Sequence, residues 1–329
     1  MERLKISIAC ETYDRVAALA TGQVQVEGCD STVINLHAEE LFSRTIAHQE
    51  FDVSELSLSS YLLATSRGGF PYIALPVFPS RVFRHSGIYI NTERGIAVPE
   101  DLRGKTVGVP EYQMTAALWV RGLLSDQYGV HARDIRWRTG GLEQPGRTEK
   151  IALKLPPDFD VKPIAADRRL NDLLVSGEID AIVSARAPSS FGRDPSIARL
   201  FPDYRRAEQS YFRDTGLFPI MHVLVMRRSL VTRFPWLASS LYKAFCQAKD
   251  LCVAHLHEIG ALAVTLPWLV AELEETEKIM GADYWPYGIE ENRTALEAAL
   301  RYAREQGVVV DPLSLDDLFV PGIARHGGV

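Results

Sequence analysis

Short β-like runs and helix-like stretches alternate along most of this chain, a pattern that specifies a parallel sheet with crossover helices. Strands are expected at Leu4 to Ala9, Thr32 to Leu36, Phe51 to Leu56, Ile73 to Val77 and Gly87 to Asn91. Thr106 to Val109, Ile135 to Arg138, Ile179 to Val183 and a long run from Pro219 to Met226 follow. Between them, Ala38 to His48 puts Leu41, Thr45 and Ile46 on one helical face, and Thr115 to Gln127 does the same with Ala116, Trp119, Val120 and Leu123. Gly129 suits a helix C-cap, Leu170 to Ser176 is helical up to Gly177, and Pro79 to His85 reads as a basic, aromatic connection. After the last strand the pattern is helical: Trp236 to His257, Pro267 to Met280 and Glu291 to Gln306.

At 329 residues the chain is long enough for two lobes, each burying its own core. Its net charge of −6 comes from interspersed acids and bases, so no basic field exists for nucleic acid or an anionic membrane, and any anion must be gripped locally. The four cysteines have no CxxC spacing, which argues against a zinc site and for buried free thiols. The amino terminus enters a strand-like run without an apolar export segment, and the longest uncharged stretch, Ile259 to Ala271, is too short to span a bilayer. A cytoplasmic protein is expected. Gly104-Lys105-Thr106 lacks the leading glycine of a P-loop, and no HExxH or Gly-x-Ser-x-Gly arrangement occurs.

Five stretches carry a family likeness: Asp52 to Tyr61, Arg81 to Ser86, Asp101 to Val109, Thr215 to His222 and Tyr287 to Arg293. With the order of elements, they make the chain resemble the cytoplasmic branch of the type II periplasmic-binding-protein fold typified by the 4,5-dihydroxyphthalate decarboxylase family. The resemblance implies two α/β lobes joined by two crossing segments, lobe I being 1–87 plus 217–329 and lobe II 88–216. A ligand would lie between them.

Ligands of open parallel sheets collect beyond the carboxyl ends of the strands. That rule selects Thr12 and Tyr13, Ser57 and Ser59, Arg81, Arg84 and His85, Ser184 and Arg186, with His222 in the returning segment. Arginine forks suit carboxylates, and hydroxyls at helix starts add donors. Each has a plainer alternative: salt bridges for the arginines, helix caps for Ser57 and Ser59, a core position for His222.

Loss of CO₂ from an electron-rich aromatic acid needs a proton for the ring carbon and a poorly hydrated site for the departing carboxylate. His222 is the first candidate acid and His85 the second, or an orienter of a substrate hydroxyl. The expected partner is a small aromatic carboxylate; the reaction demands no organic cofactor, no metal ligand set is apparent, and a homo-oligomer stays open. The rival function is a solute receptor that binds a small aromatic or heterocyclic anion without changing it.

Overall fold

The computed structural model describes residues 3–323. Eleven named strands make two sheets. In chain order these strands are β1 (Leu4–Cys10), β2 (Cys29–Asn35), β3 (Val53–Ser57), β4 (Tyr72–Arg81), β5 (Ile88–Asn91), β6 (Thr106–Val109), β7 (Arg136–Thr139), β8 (Val161–Pro163), β9 (Ala181–Val183), β10 (Ile197–Arg199) and β11 (Ile220–Arg227). The first sheet has the order β2-β1-β3-β11-β4 and the second β10-β5-β9-β6-β7-β8. β1, β2 and β3 run parallel, and β11 returns antiparallel between β3 and β4. β6 to β9 are parallel to one another, and β5 lies antiparallel to β9 and β10.

The helices are α1 (Asp14–Ala20), α2 (Ala38–Ser43), α3 (Leu58–Ser66), α4 (Thr115–Tyr128), α5 (Leu170–Val175), α6 (Tyr204–Thr215), α7 (Arg228–Arg233), α8 (Leu237–Leu256), α9 (Leu269–Met280), α10 (Arg293–Glu305) and α11 (Leu315–Leu318). Among them, α4 ties the halves together. It follows a strand of the second sheet, yet Trp119 Nε1 donates to the carbonyl of Ile220 in the first at 2.9 Å. Its Gly122 lies so close under Tyr302 of α10 that a Cβ there would meet the ring at 2.3 Å. One continuous apolar core therefore draws on both sheets, and a smaller one gathers Tyr89, Leu170, Leu173, Leu174, Ile179, Ile182 and Ile197.

Several expectations need correction. The helix expected over Ala38 to His48 stops at Ser43 and continues as a π-turn, Arg44–His48, which ends at Gln49 with φ of +50°. β4 runs on through Pro79 and Ser80 to Arg81, so three residues of the expected connection are strand, held by β11. Ser57 occupies the N-cap position of α3 without capping it by its side chain. Helices α1, α6 and α7 and the short strands β8 and β10 were not expected, because their sequences are polar or too brief for a periodic signal. No helix among the described residues is long and apolar enough to cross a membrane.

Candidate functional site

The carboxyl ends of β1, β3 and β4 and the amino end of β11 meet at one edge of the first sheet. Parallel register brings Ala9 beside Ser54, and antiparallel register places His222 opposite both Ser57 and Ser80. Side chains alternate along a strand, so Glu55 and Ser57 share a face with His222.

Glu55 is fully buried, and its carboxylate is held from several directions. Oε1 lies 2.5 Å from His222 Nδ1 and accepts from the Tyr13 hydroxyl at 2.7 Å; Oε2 accepts the backbone N–H of Glu11 at 2.9 Å. Burial pushes the carboxyl up, but the His222 hydrogen bond and charge, with the Glu11 N–H and Tyr13 hydroxyl, outweigh it and hold Glu55 below its ordinary value. The Tyr13 phenol is pushed far up by burial and by Glu55, so it remains a proton donor to that carboxylate. With Nδ1 committed to Glu55, the outer nitrogen of His222, Nε2, is the one left for chemistry. The His222 side chain keeps 17 % of its surface exposed, and Phe42 meets its ring edge-on at 4.8 Å.

Next to this dyad lies a hydroxyl cluster. Ser57 Oγ is 2.8 Å from Thr115 Oγ1, which accepts the backbone N–H of Ser59 at 3.1 Å and lies 3.0 Å from Ser59 Oγ. The Ser59 hydroxyl donates to the Gln113 carbonyl. The starts of α3 and α4 thus converge here from different sheets.

The arginines differ sharply. Arg81 is buried: Nη1 donates to Asn292 Oδ1 at 2.7 Å and to the Pro286 carbonyl at 3.3 Å, Nη2 donates to the Phe218 carbonyl at 2.7 Å, and Nε has no partner among the described residues. Burial pulls its guanidinium down to about 9. Arg84 makes one contact, Nε to Met221 Sδ at 3.1 Å, beside His222 in sequence, and burial pulls it down to about 10. Arg186 is exposed, and its Nη2 lies 2.7 Å from Nε2 of His37, which follows β2 of the first sheet. Among the described residues no carboxylate is ion-paired to Arg84 or Arg186. Ser184 is buried, and its hydroxyl accepts the Arg186 N–H at 3.1 Å; Thr12 is exposed after β1.

His85 is 1 % exposed, with both ring nitrogens lacking a partner and its ring edge-on to Phe201 and Tyr211. Burial pulls it down to about 4, so at neutral pH it is the uncharged imidazole rather than an imidazolium acid. A cavity of about 960 Å³ opens at the far end of α4, but it lies away from the dyad and its Arg301 is already paired with Asp126 at 2.5 Å. Among the described residues no group of three or more His, Cys, Asp or Glu side chains is placed to hold a metal ion.

No family model matches the chain. It is 43% identical over 322 residues to the 4,5-dihydroxyphthalate decarboxylase of Comamonas testosteroni, spanning 98% of both chains. The chain belongs to the 4,5-dihydroxyphthalate decarboxylase family. The Pseudomonas putida protein of that name is 46% identical over 214 residues, 65% of this chain and 83% of that one. Among solved structures, the periplasmic aliphatic sulphonate binding protein SsuA of Escherichia coli superposes with a TM-score of 0.55 at 12% identity, over 100% of this chain and 95% of that one. That likeness carries the fold, the two-lobed architecture of type II periplasmic binding proteins.

In this member of the decarboxylase family, the residues that the sequence reading missed are Glu55 and Thr115. Glu55 is the one acid in the strand-like run Val53–Ser57, an isolated charge that a half-buried strand tolerates only with partners. Thr115 looked like an ordinary helix start.

Proposed function

We propose that this chain decarboxylates 4,5-dihydroxyphthalate, or a closely related hydroxylated aromatic diacid, between lobe I (1–87 plus 217–329) and lobe II (88–216). The observation that carries the reading is the 2.5 Å contact between His222 and Glu55, in a chain 43% identical over nearly its whole length to a decarboxylase of that name.

In this reading Nε2–H of the His222 imidazolium is the acid. In 4,5-dihydroxyphthalate each carboxylate stands para to a hydroxyl, so that hydroxyl pushes electron density onto the carbon bearing the carboxylate. This carbon takes the proton from Nε2, and the ring briefly loses aromaticity. The bond to the carboxylate then breaks, its electron pair returns to the ring, and CO₂ leaves. The product is 3,4-dihydroxybenzoate, and water reprotonates His222. Glu55 acts through His222 as a positioning residue and counter-charge, and Tyr13 holds Glu55.

The retained carboxylate is assigned to Arg84 and Arg186, neither of which is in a direct ion pair among the described residues, with Ser57 and Thr115 as hydroxyl donors and Ser184 bracing the Arg186 loop. Thr12 remains at the rim. Phe42, edge-on to His222, gives the departing carboxylate an apolar wall, where poor hydration favours its loss. Arg81 and His85 receive framework roles, since both terminal nitrogens of the first are engaged by Asn292, Pro286 and Phe218 and the second is held neutral. Four unpaired thiols support a reducing compartment, the cytoplasm.

Incubating the pure protein with 4,5-dihydroxyphthalate tests the proposal. Release of one CO₂ per ring, with 3,4-dihydroxybenzoate as product, is expected. Tight binding without turnover would instead make the chain a solute receptor.

A further inference from the structure

Arg15 is the second residue of α1, two positions past Tyr13. Its side chain is 16% exposed and is fixed from several sides. Nε donates to the carbonyl of Pro79 in β4 at 2.6 Å, and Nη1 donates to Asp14 Oδ1 at 3.0 Å. The guanidinium also stands over two rings, its Cζ 4.1 Å from the centre of Tyr13 and 4.3 Å from that of Trp285. Trp285 is itself held, with Nε1 donating to the Phe78 carbonyl at 3.0 Å and its ring edge-on to Phe218.

These contacts lead to the dyad. The Tyr13 hydroxyl donates to Glu55 Oε1 at 2.7 Å and lies 3.5 Å from His222 Nδ1. Tyr13 is the N-cap residue of α1, with extended backbone and no hydrogen bond from its side chain to the helix start. Thr12 and Asp14 on either side of it are exposed, so the local chain does not by itself select one rotamer for the ring. A cation over the ring face does, because it attracts the ring and is anchored elsewhere. That anchor is well placed: Pro79 accepts from Arg15, and the next residue, Ser80, pairs with His222 across the sheet.

We propose that Arg15 is a positioning residue for His222, and that it works by pinning the Tyr13 ring so that the hydroxyl stays on Glu55 and keeps that carboxylate turned to the imidazole. Its importance for turnover rests on the assignment of His222 as the acid. Arg15 need not touch the substrate. A plain ion pair with Asp14 is the weaker account, because Asp14 is half exposed and such a pair contributes little. A simple tie between α1 and β4 needs only the Pro79 contact and leaves both ring contacts without a role.

Two readouts on the full chain separate failure of this inference from failure of the decarboxylase reading. In the ligand-free protein, the proton between His222 Nδ1 and Glu55 Oε1 should give a far-downfield NMR resonance, identified by its absence from His222→Gln. Arg15→Met and Tyr13→Phe should each broaden or remove it, with or without turnover of a diacid. In steady-state assays with 4,5-dihydroxyphthalate, Arg15→Met should lower kcat about tenfold, the size a partly desolvated cation–π contact can supply, with KM within about twofold of wild type. Because Arg15 acts through the Tyr13 hydroxyl, Arg15→Met placed in a Tyr13→Phe background should cost little more than Tyr13→Phe alone. Should Arg15→Met fail to fold, Arg15→Lys, which keeps the cation and loses the planar fork, should show the same pattern with a loss of about threefold. An unchanged resonance in the folded variant overturns the proposal, as do losses that multiply in the double variant or an effect confined to KM. A resonance lost in the variants of a chain that turns over no diacid would sink the decarboxylase reading and leave the positioning role standing.

Discussion

His222 Nδ1 lies 2.5 Å from Glu55 Oε1, although 167 positions separate the two residues in sequence. β11 must turn back antiparallel beside β3 in a single register for this contact to form, and a slip by one residue would turn His222 to the other face of the sheet. The pairing of strands is therefore also the assembly of the proposed proton donor.

Replacing His222 by Gln or Asn should remove the acid while leaving most of the carboxylate grip. Single-turnover CO₂ release should fall by about 10²–10⁴-fold with a small change in substrate affinity. Near-normal release would assign the proton transfer to another group.

Glu55→Gln retains the shape of the side chain and removes its charge. Without the carboxylate that fixes its Nδ1, the imidazole is no longer held in place, so kcat should fall by about 10²-fold or more with a much smaller change in KM. A merely structural Glu55 would lower the amount of folded enzyme and leave kcat per folded chain unchanged. In the wild type, the depressed Glu55 carboxyl contributes stability that is present above the ordinary carboxylate range and lost as pH falls through its folded value. Urea midpoints on the acid side should show that loss, and Glu55→Gln should not.

His85 makes a separate prediction about stability. Its ordinary value is 6.5 and burial brings it to about 4, so across that window the unfolded chain binds more protons than the folded one. The stabilisation is complete above about 6.5 and is lost as pH falls to about 4, a difference on the order of 3 kcal/mol. His85→Phe, which removes two buried nitrogens without partners, should flatten that slope relative to wild type and leave turnover intact. A slope unchanged in the variant would show that other groups carry it.

The two kinds of arginine should separate cleanly. Arg81→Met strands the Asn292 oxygen and two carbonyls, and should cost roughly 2–4 kcal/mol in denaturant titrations. Arg186→Gln should leave the unfolding midpoint within about 0.5 kcal/mol of wild type. It should raise KM for the diacid by roughly tenfold through loss of a charged hydrogen bond. Equal KM values for wild type and Arg186→Gln would remove Arg186 from the carboxylate grip.

Much of the scaffold was legible because it rests on local periodicity. Thr106–Val109 falls where expected, α4 ends at Gly129 with a φ of +62°, and α10 is followed by Gly307 at +71°. The site was legible only as a neighbourhood. Strand-end reasoning gathered Tyr13, Ser57, Ser59 and His222 at one edge, but no local signal says that Arg81 Nη1 is tied to Asn292, 211 positions away. Nor does one say that Phe201 and Tyr211 enclose His85. Glu55 was missed for the same reason, since what makes it functional is a partner on the last strand.

Helix α4 is a stiff rod with one end at the proposed site and the other against α10. Its fourteen residues span about 21 Å. A methyl group at Gly122 would collide with the Tyr302 ring, and a rigid rod relieves such a push by sliding. That slide would move Thr115 away from Ser57 and drag the Trp119 anchor on Ile220, two residues from His222. Turnover in this family member is thus exposed to sequence changes at a position that never touches its substrate.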